Sequence, residues 1–169
     1  GVMGASAAFH LAEAGVSVLL CEKNELASGS TSKAAGGVRA NFSDEFNVAL
    51  GARSLDLFAD FKSRPGYEID LHRSGYLFAL TKQEDVDLFE KSTKIHNQFN
   101  VESRMLTPGE AGKISPLLNT SDLLAASFTP NDGHCTPESV VLGYAGGAKK
   151  LGATVLTNTE VTGIKLNGD

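Results

Sequence analysis

The sequence predicts an α/β fold in which a parallel-sheet unit is interrupted by an α+β insertion. Three observations carry that expectation. Residues 1–22, GVMGASAAFHLAEAGVSVLLCE, read as a glycine pair, a small-residue helix, a glycine stop, an apolar strand and a terminal acid. The same order of helix, glycine and apolar strand returns at Gly152-Ala153-Thr154-Val155-Leu156, echoing Gly15-Val16-Ser17-Val18-Leu19. Between the two lies a stretch whose strands and helices follow a different rhythm. The expected organisation is residues 1–66 as the first part of a nucleotide-binding domain, 67–131 as an insertion, and 132–169 as the returning part.

Each piece of the opening has a physical reason. Gly1 and Gly4 have the spacing of the last two glycines of the dinucleotide fingerprint G-x-G-x-x-G. Ala5 to Ala14 suits a helix, because Ala5, Ala7, Ala8, Leu11, Ala12 and Ala14 combine high propensity with a thin face for a sheet. Gly15 stands where a helix ends in a left-handed residue. Val16 to Cys21, apolar on both faces, reads as a strand buried in a parallel sheet. Glu22 follows at its end, 18 residues past Gly4 (22 − 4), near the spacing at which a carboxylate reaches a ribose diol. In such a site Gly1 admits a pyrophosphate close to the backbone, Gly4 brings helix and strand together, and the helix N-terminus offers N–H groups to phosphate. A carboxylate at Glu22 repels a 2′-phosphate, which argues against NADP.

Composition narrows the class. Hydrophobic content of 41% and charged content of 21% are those of a globular chain, and a net charge of −5 without basic runs gives no reason to expect nucleic acid. No apolar run approaches the roughly 20 residues of a membrane span. Cys21 and Cys135 are the only cysteines, without CxxC spacing, so neither a metal site nor a disulfide framework is expected, and Cys21 reads as a buried small residue. The chain begins inside a motif without an initiating methionine, so the sequence reads as a piece of a longer protein, one that by itself holds the nucleotide poorly.

After Glu22, the Gly/Ser/Ala-rich segment from Asn24 to Gly37 reads as a loop whose backbone lies close to something. Ser43 or Asp44 caps a helix with Phe46, Leu50, Leu55, Leu57, Phe58 and Phe61 at helical spacing, running to about Lys62 before Pro65-Gly66. The phenylalanines at that spacing are expected in the core. Residues 69–81 read as β-structure bent at Ser74-Gly75, and 82–100 as an amphipathic helix on Val86, Leu88, Phe89, Ile95 and Phe99. Thr107-Pro108 with Glu110 is a capping signal for a short helix ending near Ile114. Leu123 to Thr129 reads as a strand, Asn131-Asp132-Gly133 as a turn, and Pro137 to Leu151 as a helix. Two strands follow, Thr154 to Asn158 and Glu160 to Leu166.

Taken together, Gly1-Val2-Met3-Gly4, Glu22, the run from Glu25 to Arg39 (ELASGSTSKAAGGVR) and Asp132-Gly133-His134-Cys135-Thr136-Pro137 resemble the D-amino-acid-oxidase-like family of FAD-dependent amine oxidoreductases. The helix from Gly143-Tyr144-Ala145 to Leu151-Gly152-Ala153, followed by Thr159 to Ile164, matches as well. The likeness is strongest to the sarcosine oxidase β-subunit and dimethylglycine dehydrogenase branch, and the chain would be roughly the N-terminal half of such an enzyme. The resemblance implies an incomplete Rossmann-like FAD-binding domain with an inserted part of a substrate domain. It places Gly1, Gly4, Glu22 and Lys23 at the ADP part of FAD, and Ser30, Thr31 and Ser32 along the phosphates and ribityl chain. Ala35, Gly36 and Gly37 would pass beside the flavin ring, with the Val161 backbone at the adenine. In dimethylglycine-dehydrogenase-like relatives the position of Lys33 is a histidine joined covalently to flavin. A lysine cannot form that bond, so FAD is expected to be held non-covalently.

Lys33 is then either a solvated loop charge or a cation near the flavin. Arg39 either grips a substrate carboxylate in a bidentate fork or forms a structural salt bridge. His134 reads as a turn or capping residue before a catalytic base, Tyr76 as packing before a cavity wall, and His72 and His96 as surface residues. The expected activity is oxidation of a secondary or tertiary amine, an N-methylated amino acid such as sarcosine or dimethylglycine, with oxygen or an electron-transfer partner accepting the electrons. The rival is a non-catalytic flavoprotein that assists assembly of another complex. A hetero-oligomer is compatible with either, as is a cytoplasmic or, in a eukaryote, mitochondrial location.

Overall fold

The computed structural model describes residues 1–166. In chain order the elements are α1 (Val2–Glu13), β1 (Leu19–Cys21), β2 (Gly37–Val38), α2 (Glu45–Ala59), β3 (Tyr76–Leu80), α3 (Gln83–Gln98), β4 (Arg104–Leu106), α4 (Pro108–Ile114), β5 (Ala125–Thr129), β6 (Gly133–His134), α5 (Pro137–Lys150) and β7 (Thr154–Leu156). A single 3-10 turn, Thr31–Lys33, lies between β1 and β2. The chain divides into two compact units. The first comprises Gly1–Gly36, Asp60–Asp70 and the segment from Thr136, and the second Gly37–Ala59 and Leu71–Cys135.

In the first unit the sequence echo becomes a pairing. Gly15 at φ +80° and Gly152 at φ +95° end their helices in the left-handed region. The strands after them run parallel, Leu19 opposite Thr154 and Cys21 opposite Leu156. The helices α1 and α5 pack against each other through Ala5, Ala8, Phe9 and Ala12 on one side and Tyr144, Ala145 and Ala148 on the other, all buried. The Tyr144 ring anchors the layer, 5.6 Å from Phe9 and 4.8 Å from Phe61. Fully burying an aromatic side chain of this size stabilises by about 1.5–3 kcal/mol. The glycines of α5 make room for the residues packed on that helix: a Cβ at Gly143 would lie 2.5 Å from Phe61, and one at Gly147 would lie 2.6 Å from Pro65.

Several expectations shift here. Helix α1 starts at Val2 instead of Ala5, and β1 covers only the last three residues of the apolar run. That strand is not buried on both faces: Leu19 is 62% exposed, and Cys21 is half-buried. With a single ladder partner among the described residues, β1 keeps an open side. The stretch from Glu160 to Leu166 forms no strand, because no neighbour pairs with it among the described residues; Ile164 is 83% exposed. Thr136 stands at the start of α5 with Pro137 at its first position, but its side chain makes no capping bond.

The second unit is a three-stranded antiparallel sheet in the order β3-β5-β4, accompanied by the two-stranded β2–β6 ladder. One face of the sheet carries Leu77, Leu106, Ala126 and Phe128, which gather with Ala111 of α4 into a hydrophobic cluster. Helix α4 has both legs of a capping box: the Glu110 N–H donates to Thr107 Oγ1 (3.3 Å), and the Thr107 N–H donates to Glu110 Oε2 (2.8 Å). Helix α2 opens on Asp44, whose Oδ1 accepts the Asn47 N–H at 3.0 Å. Its buried face is Val48, Gly51 and Leu55, so Phe46 (77% exposed) is not in the core. Gly51 sets that choice: a Cβ there would stand 2.9 Å from the Ala40 Cα. On α3 the buried residues are Val86, Ser92 and His96, whereas Leu88 is exposed. His96 is thus a core histidine and not a surface one.

Candidate functional site

The first unit holds a cleft of about 330 Å³ lined by Gly1, Val2, Met3, Gly4, Glu22, Ala27, Gly29, Ser30 and Thr31. Small residues, Gly1, Gly4, Ala27, Gly29 and Ser30, make up much of its wall. The Gly1 N-cap has no side-chain cap, so the first-turn N–H groups of α1, which helix geometry leaves without intrahelical partners, face the opening. Opposite them, the loop turns through Ala27, buried at φ +67°, and closes with the Ser32 N–H donating to the Ala27 carbonyl at 3.1 Å. This leaves the N–H groups of Gly29 and Ser30 without a backbone acceptor among the described residues. Two sets of unused donors meet across the cleft, the arrangement that receives a phosphate chain.

Nothing in the protein itself requires the two glycines. A Cβ at Gly1 would rest 3.7 Å from Thr31 Oγ1, and one at Gly4 would rest 3.7 Å from Leu20 Cδ1, both ordinary contacts. The tight helix–strand approach expected at Gly4 is therefore absent. A side chain at Gly1 would approach Thr31, a residue of the cleft wall.

Glu22 lies directly past β1, where parallel strands present their carboxyl ends and α/β sheets bind ligands. Its N–H donates to the Leu156 carbonyl and its own carbonyl accepts the Thr159 N–H, both at 2.8 Å. The side chain is thereby aimed at the mouth, with Oε2 3.6 Å from the Gly1 nitrogen. The Asn24 N–H donates to Oε1 at 3.0 Å and holds the carboxyl below its usual range, so it stays ionised.

The other residues singled out in the sequence are distributed unevenly. Ser30 and Thr31 line the cleft with Gly1, Gly4 and Glu22. Ser32 does not; its hydroxyl donates back to the Ser28 and Gly29 carbonyls and stiffens the loop. Lys23 is occupied by an exposed pair with Glu160 (3.0 Å), and Val161 is 59% exposed. Lys33, the last residue of the 3-10 turn, is exposed, as are Ala34 and Ala35 after it. Ala27 and Gly29 are wall residues that motif spacing did not single out, because only the turn geometry brings them there.

Gly37 and Arg39 belong to the second unit. Arg39 forms no ion pair among the described residues, so the structural salt bridge weighed for it does not form there. Its guanidinium carbon instead lies 5.8, 5.6 and 5.8 Å from the ring centroids of Phe42, Tyr76 and Phe78. Two of these rings, Phe42 and Phe78, border a groove of about 270 Å³ that Arg39, Asn41, Ser43 and Ser92 also line. His134 is an exposed residue on β6, 5.1 Å ring to ring from His72. No cluster of metal-ligating side chains occurs among the described residues, and no helix among them is long and apolar enough to cross a membrane.

A glycine-tipped helix, a cleft lined by small residues and a strand-end carboxylate define a dinucleotide-binding α/β protein. More narrowly, the chain belongs to the FAD dependent oxidoreductase (DAO) family, which it matches over residues 1–169. It is 33% identical over its whole length to dimethylglycine dehydrogenase, mitochondrial, of Rattus norvegicus, covering 20% of that protein. It is 26% identical over 99% of its length to sarcosine oxidase subunit beta of Rhodobacter capsulatus, covering 42% of that subunit. The crystal structure of L-proline dehydrogenase from P. horikoshii superposes with a TM-score of 0.90 at 38% identity, over 96% of this chain and 43% of that one. The chain thus spans between a fifth and less than a half of these relatives' lengths.

Proposed function

We propose that this chain forms the ADP-binding and part of the substrate-binding portion of an enzyme that oxidises a secondary or tertiary amine carrying a carboxylate, such as dimethylglycine, sarcosine or proline. The observation that carries the reading is the pairing, in one small cleft, of free backbone donors with an ionised Glu22. A pyrophosphate takes the donors at the α1 N-terminus and the Gly29–Thr31 turn, and the adenosine ribose takes the carboxylate. Lys23 and the Val161 backbone flank the adenine end, and Ser32, Ala35, Gly36 and Gly37 continue along the cofactor. Held non-covalently, FAD supplies the two-electron acceptance that the oxidation needs.

Arg39 is the residue we assign to the substrate carboxylate. It forms no ion pair among the described residues, although it feels the Asp132 charge, and three rings hold the guanidinium without consuming its N–H donors. Lys33 is assigned to the flavin's neighbourhood as a cation without an ion pair among the described residues. With a neutral amine as the reacting species, little protein acid–base chemistry is needed, so orientation is the protein's main contribution. The relative named as a subunit supports a hetero-oligomer as the working form.

The test is anaerobic mixing of the full-length flavoprotein with dimethylglycine, sarcosine and L-proline. Loss of the visible flavin band with at least one of them is expected. A yellow protein that stays oxidised with all three and with a wider amine panel overturns the enzyme reading in favour of a non-catalytic flavoprotein.

A further inference from the structure

Asp132 is fully buried, yet it makes no ion pair among the described residues. Its Oδ1 accepts the Ala40 N–H at 3.0 Å, and its carbonyl accepts the Gly75 N–H at 2.8 Å. Oδ2 is buried without a hydrogen-bond partner. Ala40 follows Arg39 and Gly75 precedes Tyr76, so one residue fixes both the peptide that launches the guanidinium and the strand that launches a ring beneath it. The surroundings leave these links little play. The Asn41 amide donates to Thr129 Oγ1 at 2.6 Å, three residues before Asp132. Gly37 and Val38 pair with His134 and Gly133, and a Cβ at Gly37 would lie 2.2 Å from the Tyr76 hydroxyl.

Retaining a carboxylate here has an energetic cost. Burial pushes the Asp132 carboxyl above its usual range, only partly offset by the Ala40 and Asn41 N–H groups and the Arg39 charge. A polar group left half-unsatisfied in a core is kept against such a penalty where it specifies a geometry.

We propose that Asp132 is the positioning residue of carboxylate recognition, holding Arg39 and Tyr76 in register so that the guanidinium presents its N–H fork to the ligand. This rests on the assignment of Arg39 made above. It concerns a residue that touches neither substrate nor cofactor.

The experiment is titration of the full-length flavoprotein with benzoate and with benzamide, which differ in charge but hardly in shape, followed by the flavin spectrum. Asp132→Ala is expected to weaken benzoate about tenfold or more while benzamide changes by less than about twofold. Asp132→Asn, which keeps the acceptor for Ala40, restores benzoate binding to within about threefold of the parent. Should Asp132→Ala fail to fold, Asp132→Glu serves instead: it keeps the charge but displaces the oxygens, and a benzoate-selective loss is expected. Equal losses for both ligands, or no loss of benzoate, overturn the proposal when Arg39→Ala still weakens benzoate. If Arg39→Ala leaves benzoate binding unchanged, the Arg39 assignment itself has failed, a separate result.

Discussion

The cleft in the first unit is lined largely by small residues, with the Glu22 carboxylate at the end of a strand. The Arg39 site in the second unit is built from side chains: three rings, a buried aspartate and a buried amide–hydroxyl bond, joined across 92 and 88 residues of sequence. The cleft needs small residues at set intervals and tolerates almost anything elsewhere. A side-chain site needs particular partners delivered by the fold. The two regions should therefore respond differently when one methyl group is added to a glycine.

The largest effect is expected at Gly133→Ala. A Cβ at that position would lie 1.9 Å from the His72 carbonyl oxygen and 2.9 Å from its carbon, both backbone atoms that cannot swing aside. The β2–β6 ladder and the backbone hydrogen bonds that His72 and His134 exchange, at 2.8 and 3.0 Å, must shift together, at a cost of about 3 kcal/mol or more. Urea denaturation of the variant would show it. A loss under about 1 kcal/mol would mean that the second unit is held far less tightly than its contacts imply.

The matching change in the first unit is Gly1→Ala, where a Cβ finds only Thr31 Oγ1 at 3.7 Å. Here stability should fall by no more than about 1 kcal/mol, the scale of losing a favourable N-cap residue. FAD affinity of the full-length protein should drop about a hundredfold, roughly 2.7 kcal/mol, because the methyl group approaches Thr31 on the cleft wall. Equilibrium dialysis of the apoprotein against FAD measures it. Unchanged affinity would break the comparison, since the cleft would then not be the place where backbone meets cofactor.

This contrast also explains what the sequence could disclose. The helix–glycine–strand units were readable because propensity, glycine stops and apolar runs act locally, and the Thr107–Glu110 capping box was readable for the same reason. That Gly1, Gly4 and Glu22 would border one cleft was legible because short elements convert spacing directly into position, whereas the close packing expected at Gly4 was not met. Phe46 and Leu50 misled, because helical spacing names a stripe without saying which stripe is covered; Gly51 against Ala40 decides that. His96 and Asp132 were missed as core residues because their burial depends on partners at Phe42 and Ala40, more than 50 and 90 residues away. The short pair β2–β6 escaped notice too, since two residues carry no periodicity.

The smallest effect expected is a pH dependence that belongs to the second unit alone. His96 is fully buried, with Nε2 donating to the Phe42 carbonyl at 2.7 Å and Nδ1 buried without a partner. Burial pushes its pKa below the ordinary value, although the Phe42 carbonyl partly opposes this. The folded form therefore binds the histidine proton less readily than the unfolded chain. The stabilisation is complete above the unfolded pKa of about 6.5 and is lost as pH falls from there toward the folded pKa, with a slope of at most about 1.4 kcal/mol per pH unit. His96→Gln keeps a donor for the Phe42 carbonyl but cannot titrate. Denaturation of parent and variant at pH 8 and pH 5 should show the parent losing more stability on acidification. Asp132 has the opposite sign, its contribution being lost as pH rises toward a folded pKa that burial raises, so it cannot produce a loss on acidification. Equal acid sensitivity of the two proteins would show that His96 accepts its proton without disturbing the core, and the rigidity argued for the second unit would have to be withdrawn at α3.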